Sequence, residues 1–336
     1  MQKGKDPSRV TIYDVAKEAN VSLATVSRVI NGVGNVSKET KELVEQTIEK
    51  LGYVPSDLAR GLAKQKTTNV AIVLPSPNYS YISSIMAGMI DVCKIYGYNS
   101  TLFTYEDPED AARVVDTVIS SRVEGICCFN SELSEEDLKK MMMIQLPMVL
   151  IGTDNFGDNA LVDINYSSCL AEIIERATKR GVKEFIYLKN PRKDWHMVNE
   201  FEKAITKVLK DKPHCQLKFL PISDSYVSIY DYFYQQFKKV PPHNEMYITT
   251  RDSLATAIVN AACDLGYRPV KDFEAFGVIG TKQARMSRPT ISAIDVDLYE
   301  VGSIAMRMLT KMLQGTLNNK FFTFTPEYHA RESTKD

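Results

Sequence analysis

Residues 11–55 read TIYDVAKEANVSLATVSRVINGVGNVSKETKELVEQTIEKLGYVP. Three short helices with a 3.6-residue apolar period fit this stretch, and it contains no strand-like apolar run. Thr11, Ser22 and Ser37 stand where helix N-caps are expected, and the first helix should end at Asn20. Short helices joined by tight turns predict a helix-turn-helix unit, whose second helix enters the major groove of DNA.

The apolar positions of each predicted helix mark the side that faces inward. They are Val15, Ala16 and Ala19 in the first helix, Val26, Val29 and Ile30 in the second, and Val44, Ile48 and Leu51 in the third. Arg28 lies on another face of the second helix, and its guanidinium is suited to bidentate hydrogen bonds with guanine O6 and N7.

Several further side chains in this stretch are predicted to contact DNA. The short polar ones, which suit phosphate contacts, are Ser22, Thr25, Ser27 and Asn35, and Leu23 and Ala24 lie beside them on the second helix. The alternative interpretation is a helical bundle with an exposed arginine and no DNA ligand. The spacing of the helices, their caps and the linker that follows favour DNA binding.

From Asn69 onward, apolar β-rich runs alternate with amphipathic stretches. The runs form two consecutive series with a break near Asp163–Tyr166, followed by SAIDV, a helix from about Asp297 to Leu313 and the β-rich tail FFTFTPEYHA. This rhythm predicts an α/β fold with two doubly wound parallel sheets, each covered by helices on both faces. Two similar lobes would result, with a ligand cleft between them.

The change at Asn69, from helical periodicity to alternating strand and helix patterns, predicts that the chain has three parts. These are a headpiece over 1–54, a hinge helix and linker over 55–68, and a regulatory core over 69–336, with lobe one at about 69–163 and 295–325 and lobe two at about 164–293 and 326–336. In the linker, Pro55 precedes a helix-start signal at Ser56 and Asp57, and Gly61 weakens the helix. A helix of about two turns should form only when something stabilises it.

Composition excludes several classes of protein. The chain has 336 residues, a net charge of −1 and no apolar run of the ~18 residues that a membrane span needs. The first ten residues, MQKGKDPSRV, lack the apolar region of a secretory signal, so we expect a cytoplasmic protein. Six cysteines and four histidines show no ligand spacing, which predicts reduced, mostly buried thiols and no metal or cofactor.

Two other functions compete with DNA binding. An enzyme or nucleotide-binding protein could use the same fold, but the chain has no G-x-S-x-G and no P-loop, and only the fragment Gly32-Val33-Gly34 of a glycine fingerprint. A plain solute-binding protein would have no headpiece. We therefore expect a DNA-binding regulator and not an enzyme.

The stretch TIYDVAKEANVSLATVSRVINGVGNVS, followed by LGYVPSDLARGLA, resembles the headpiece and hinge of the LacI/GalR repressor family. The resemblance continues through the two-lobed core. It implies a homodimer on a pseudo-palindromic operator, with hinge helices paired in the minor groove. It also implies that Ala59 and Leu62 contact DNA and that Leu62 inserts at the central base step, as apolar wedges do where they kink DNA.

Residues 299–311, YEVGSIAMRMLTK, resemble a segment found in family members that control carbon catabolism, which binds the serine-phosphorylated phosphocarrier HPr. The resemblance assigns partner contacts to Tyr299, Glu300, Arg307 and Lys311, with Glu300 replacing the usual aspartate. Arg307 and Lys311 are one helical turn apart with no acidic residue between them, which suits a phosphate. Spacing alone fits a solvated helix face better, and the resemblance favours the phosphate site.

Sugar-responsive relatives hold ligand hydroxyls with an arginine early in lobe two and an aspartate after the strand that matches EAFGVIG. Here the first region, KDWHMVNEFEKAI, contains Trp195 but no arginine, and the second has Ile279-Gly280. Asp252, which follows Arg251, keeps its place, so Trp195, Arg251 and Asp252 remain candidate cleft residues. A repressor that responds to a small sugar or metabolite is the alternative, and the missing groups favour a protein co-effector.

Overall fold

The computed structural model describes residues 10–31, 34–53, 68–76, 79–130, 133–152, 157–189 and 196–335. The chain divides into two compact units, Met1–Thr67 and Thr68–Asp336. We describe each unit by itself.

The N-terminal unit contains three helices, α1 (Ile12–Glu18), α2 (Leu23–Asn31) and α3 (Lys38–Leu51). The nine apolar residues that the sequence predicted to face inward all belong to one cluster, in which Val15, Val26 and Val44 are fully buried. Tyr53, just after α3, completes this small core. The predicted helix-turn-helix unit is therefore present.

Local hydrogen bonds fix the helix ends of this unit. The Thr11 backbone N–H donates to Asp14 Oδ2 at 2.9 Å, and the Thr40 N–H donates to Ser37 Oγ at 3.3 Å. These side-chain oxygens accept hydrogen bonds from backbone N–H groups at the start of each helix, which have no partner inside the helix. Asn20 adopts a left-handed conformation with φ 53°, which ends the first helical segment at the predicted residue.

The C-terminal unit contains two six-stranded sheets, which confirms the predicted α/β fold. The first sheet has the order β11-β5-β4-β3-β1-β2 and the second the order β12-β10-β9-β8-β6-β7. Every strand pair is parallel except β10–β12. The strands are β1 (Asn69–Pro75), β2 (Asn99–Tyr105), β3 (Gly125–Phe129), β4 (Met148–Ile151), β5 (Ala160–Ile164), β6 (Glu184–Lys189), β7 (Gln216–Pro221), β8 (Glu245–Arg251), β9 (Glu274–Ile279), β10 (Ser292–Asp295), β11 (Phe321–Phe324) and β12 (Glu327–His329).

Helices connect these strands and cover the sheets. They are α4 (Ser80–Tyr96), α5 (Pro108–Ser120), α6 (Glu135–Met142), α7 (Tyr166–Lys179), α8 (His196–Leu209), α9 (Tyr226–Lys239), α10 (Asp252–Cys263), α11 (Lys282–Met286) and α12 (Leu298–Leu313). We call the first sheet and its helices lobe one, and the second sheet and its helices lobe two. The chain passes between the lobes after β5, after β10 and after β11.

Two glycines let α4 and α12 pack in direct backbone contact in lobe one. A Cβ added at Gly88 would lie 2.0 Å from the Tyr299 carbonyl oxygen, and one added at Gly302 would lie 1.9 Å from the Ile85 carbonyl oxygen. No larger residue fits at either place without separating the helices. This crossing holds the exposed face of α12 in a fixed position beside α4.

Three cysteines of lobe one, Cys93, Cys127 and Cys128, are buried, whereas the other three of the chain are half-buried. Burial raises the pKa of the Cys93 thiol to about 11 and raises that of Cys127 well above its ordinary value. These side chains therefore pack as small apolar groups in the thiol form.

Candidate nucleic-acid interface and effector surfaces

Helix α2 presents a polar face next to its buried side. Val26 is fully buried, whereas Ser22, Leu23, Ala24 and Arg28 are exposed. The two remaining predicted residues of this helix, Thr25 and Ser27, are half-buried, and Asn35 beyond it is exposed. The seven residues of 22–35 that the sequence predicted to contact DNA are therefore all at least partly accessible.

Ser22 and Thr25 form one hydrogen-bonded pair at the start of α2. The Thr25 N–H donates to Ser22 Oγ at 3.1 Å, and the two hydroxyl oxygens lie 2.8 Å apart. Ser22 therefore acts as the predicted cap of α2. Its hydroxyl and that of Thr25 lie at the helix N-terminus, where the backbone N–H groups favour an anion such as a phosphate.

The Arg28 side chain leaves α2 on its exposed side. Its methylene groups lie against Gly34, since a Cβ added there would be 3.5 Å from Arg28 Cδ. Gly34 has φ +86°, a conformation that an L-residue rarely adopts. Among residues 10–31 and 34–53, no acidic group pairs with the guanidinium, so its donors remain available to a base.

Tyr13 is an exposed aromatic residue that the sequence analysis did not single out. It lies on α1 with 69% of its surface exposed, while Val15 and Ala16 on the same helix are buried. The sequence signal that could have identified Tyr13 is its position on α1 away from the apolar residues that face the core. Ala59 and Leu62 of the hinge, and Trp195 of the cleft, lie outside the described residues.

The predicted partner-binding residues lie along the exposed face of α12. The Tyr299 hydroxyl donates to Asp91 Oδ2 of α4 at 3.1 Å, and Asp91 also accepts from Lys94 Nζ at 3.0 Å. The hydrogen bond to the carboxylate raises the pKa of Tyr299, and the bonds from Lys94 and Tyr299 lower the pKa of Asp91. Tyr299 is thus held against α4 with part of its ring exposed.

The structure adds an ion pair to this face. No acidic residue stands between Arg307 and Lys311, but Arg307 Nη1 pairs with Glu300 Oε1 at 3.3 Å, from two turns earlier on α12. Glu300 and Arg307 are thus partners of each other in the free protein. A phosphate that binds Arg307 must compete with this carboxylate.

The two cleft residues that the structure describes are both held by protein groups. Asp252 Oδ2 accepts from the Thr281 N–H and the Thr281 hydroxyl, each at 2.7 Å, and from the Ala284 N–H at 3.1 Å. Burial raises the pKa of Asp252, and these hydrogen bonds oppose the shift. The carboxylate therefore anchors the start of α11.

Arg251 is equally engaged. Its guanidinium donates from Nη2 to the Asp224 carbonyl oxygen at 2.7 Å, and Nη2 lies 3.7 Å from Asp224 Oδ2. The same guanidinium lies over the Tyr79 ring, with Cζ 4.4 Å from the ring centroid. A buried arginine in this position fills part of the space between the lobes.

Gly280 lies just after β9, where the resemblance to sugar-responsive relatives predicts a ligand-binding aspartate. A Cβ added there would lie 2.2 Å from Asp295 Oδ1. Asp295 pairs with Arg285 at 2.9 Å and with Arg331 of the C-terminal segment. The strand arrangement therefore leaves no room for a ligand-binding side chain at position 280.

Lobe one and lobe two also border an open crevice of about 570 Å³ near the crossover segments. Its lining mixes Lys282, Arg285 and the imidazole of His329 with acidic residues (Asp295, Asp297 and Glu327). Within the described residues, no group of three or more His, Cys, Asp or Glu side chains is arranged to hold a metal ion. None of the helices in the described part of the chain is both long and apolar enough to cross a membrane.

Comparison with known proteins agrees with this architecture. Residues 11–56 match the family "Bacterial regulatory proteins, lacI family", and residues 174–334 match a "Periplasmic binding protein-like domain". Catabolite control protein A of Priestia megaterium is 30% identical over 97% of this chain and 99% of its own length. The HTH-type transcriptional regulator pepR1 of Lactobacillus delbrueckii subsp. lactis is 32% identical over 97% of this chain and 98% of its own.

Solved structures share the fold. The lac repressor dimer bound to operator and the anti-inducer ONPF superposes with a TM-score of 0.82 at 20% identity, over 98% of this chain and 100% of that chain. The transcription regulator CcpA of Lactococcus lactis superposes with a TM-score of 0.66 at 22% identity, over 80% of this chain and 99% of that one. With full-length relatives at 30% identity or more, the chain belongs to the lacI family of DNA-binding transcription regulators.

Proposed function

We propose that this regulator binds a pseudo-palindromic operator as a homodimer and acts in carbon catabolite control, with serine-phosphorylated HPr as its co-effector. The observation that carries the DNA part is the exposed face of α2, with Arg28 free of acidic partners in the described headpiece. The relatives named catabolite control protein A support the regulatory part. Such a protein works on DNA in the cytoplasm and is not an enzyme.

On DNA, each residue type of this face has a separate task. Arg28 supplies the fork of donors that reads guanine, and Ser22, Thr25, Ser27 and Asn35 bind phosphates and set the register. Leu23 and Ala24 offer apolar contact to base edges. From the hinge we propose contacts by Ala59 and Leu62, with Leu62 as the wedge at the central base step.

The proposed co-effector site is the exposed face of α12 with Tyr299, Glu300, Arg307 and Lys311. A phosphoserine brings about −1.5 to −2 charges at neutral pH, which exceeds the single charge of Glu300. An exposed ion pair such as Glu300–Arg307 contributes only about 0–1 kcal/mol, so a phosphate has little to displace. Lys311, one turn from Arg307 and exposed, adds a second cation.

The sugar-responsive alternative finds little support in the cleft. Asp252 Oδ2 is engaged by Thr281 and Ala284 and Arg251 Nη2 by Asp224, which leaves Asp252 Oδ1 and Arg251 Nε as buried atoms without a hydrogen bond to any described residue. Position 280 has no side chain. A sugar needs several free and converging polar groups to be held specifically. We therefore propose a protein rather than a sugar as the effector.

The experiment that tests the proposal is selection from random DNA duplexes by the full-length chain, with and without the phosphorylated carrier. We expect a two-fold symmetric consensus whose recovery increases with phosphorylated carrier and not with the unphosphorylated form. Recovery of no consensus would overturn the operator proposal. A consensus recovered equally without carrier, with phosphorylated carrier and with unphosphorylated carrier would overturn the co-effector proposal alone.

A further inference from the structure

Two neighbouring residues of lobe one contact two linked residues of lobe two across the cleft. Tyr79, at the start of α4, lies under the Arg251 guanidinium at 4.4 Å. Ser80, the next residue, donates to the Thr281 hydroxyl at 3.4 Å. Thr281 is itself held by Asp252, which follows Arg251 in the chain. Both contacts thus join Tyr79-Ser80 to Arg251-Asp252.

On the lobe-one side, packing holds the Tyr79 ring in place. It stacks on Tyr81 with centroids 5.6 Å apart and planes 8° apart, and Tyr81 in turn contacts Phe129 at 6.2 Å. Tyr81 and Phe129 are both buried. The ring therefore presents the face opposite Tyr81 to Arg251 at little entropic cost, because its orientation is already fixed.

On the lobe-two side, Arg251 is equally preorganised. It ends β8, pairs with Ile279 of β9, and is 8% exposed. Asp224 holds the guanidinium in place through its carbonyl oxygen. A cation over an aromatic face is attracted more strongly when water is excluded, as it is for this buried arginine.

We propose that Arg251 and Tyr79, assisted by Thr281 and Ser80, form an interlobe latch that keeps the two lobes closed without a small ligand. In a two-lobed core, a ligand that bridges the cleft normally contributes the free energy of closure. Here side chains of the chain itself make the bridge. The latch leaves lobe closure independent of sugar concentration, and this inference does not depend on the identity of the co-effector.

The test is amide hydrogen exchange of the full-length protein without ligand, in the wild type and in Tyr79→Leu and Arg251→Met. We expect exchange in the cleft-lining segments 79–85 and 279–284 to increase about tenfold in both variants, because removal of the latch raises the population of open lobes. This factor corresponds to about 1.4 kcal/mol. In the double variant we expect no further increase, because each single change already removes the shared contact.

Three controls distinguish loss of the latch from a general loss of stability. Tyr79→Phe retains the ring and should exchange less than Tyr79→Leu in both segments, and Tyr232→Leu, which removes an exposed tyrosine from α9, should exchange like the wild type. Exchange in the buried strand β3 should not change in any variant, which shows that the fold is intact. Unchanged cleft exchange in Tyr79→Leu, or an effect confined to Arg251→Met, would overturn the latch, since Arg251 would then act only through Asp224.

Discussion

Arg28 combines an exposed guanidinium with a backbone that the buried Val26 holds in place. An arginine that reads a base adds sequence preference, whereas hydroxyls that bind phosphates add affinity for any DNA. In the proposed interface, Arg28 therefore supplies specificity and the neighbouring hydroxyls supply affinity from one short helix.

We expect Arg28→Ala to lower the ratio of operator to random-DNA affinity by about 5- to 150-fold, which corresponds to a loss of about 1–3 kcal/mol of discrimination. Weak binding to random DNA should persist, since the phosphate contacts remain. Fluorescence anisotropy at one fixed salt concentration measures both affinities. Arg176→Ala, which removes an exposed arginine from α7 in the core, is the matched control. An unchanged ratio in Arg28→Ala would contradict the assignment.

Ser333 is a buried hydroxyl that ties the C-terminal segment to lobe two. It accepts from the Ser292 N–H at 2.8 Å and donates to the Ala275 carbonyl oxygen at 2.6 Å. A buried backbone group that loses its partner keeps the full cost of desolvation. The sequence pattern gave no sign of this role, because a serine near a chain end is usually solvated.

We expect Ser333→Ala to lower the free energy of unfolding by about 2–4 kcal/mol, since two buried backbone groups lose a partner. Chemical denaturation, followed by circular dichroism, measures the loss. Ser120→Ala removes an exposed hydroxyl at the end of α5 and should change the free energy by less than about 0.5 kcal/mol. Equal stability of the two variants would show that water replaces the Ser333 hydroxyl.

At the scale of elements, the α4–α12 crossing sets the position of the proposed co-effector face. Gly302 and Gly88 bring the two backbones into contact, and the Tyr299–Asp91 hydrogen bond spans the same pair of helices. A methyl group at either glycine must push the helices apart. The proposed binding face would then lose its geometry even though none of its side chains changed.

We expect Gly302→Ala to destabilise the fold by about 1–3 kcal/mol, the usual cost of overpacking, and to weaken binding of the phosphorylated carrier. Thermal unfolding and calorimetric titration measure the two effects. Asp116→Leu adds an apolar side chain to the exposed side of α5, away from α12, and should leave both quantities unchanged. If Gly302→Ala matched the wild type in stability, the close approach of the helices would not be a constraint.

The elements themselves could be predicted well from the sequence. Apolar period, caps and β-rich runs placed the helices and strands of both units within a few residues, including α12 at Leu298–Leu313. The contacts that govern the sites could not be predicted in the same way. Gly280 meets Asp295 only because β9 and β10 are neighbours, and the Glu300–Arg307 pair depends on side-chain rotamers over two turns.

The contacts between the two lobes are the features that a sequence pattern predicts least well. Tyr79 and Arg251 belong to different lobes, and neither residue type by itself indicates a partner. Their meeting follows from the way the two lobes close on each other. The hydrogen bonds that Asp252 Oδ2 accepts from Thr281 and Ala284 could not be predicted either, since they depend on how α11 packs on the end of β8.

At the scale of the whole molecule, the proposed co-effector face belongs to lobe one and the proposed reading helix to the N-terminal unit. A partner that binds one and strengthens the other must act by coupling, and coupling between two binding events is reciprocal. Removing a partner contact should therefore reduce the response of operator affinity without changing operator affinity in the absence of the carrier.

We expect Arg307→Ala to weaken binding of the serine-phosphorylated carrier by about 10- to 100-fold, since hydrogen bonds to charged groups contribute about 1.5–3 kcal/mol. Lys311→Ala should act in the same direction but less, because an ammonium binds phosphate as a point charge without the bidentate geometry of arginine. Operator affinity is measured at constant salt while phosphorylated or unphosphorylated carrier is titrated, with Arg176→Ala as the matched control. Both α12 variants should match the wild type without carrier and lose the enhancement at carrier concentrations that saturate it. A full response of both variants, or a wild type that does not distinguish the two carrier forms, would remove the co-effector from the mechanism and leave DNA binding intact.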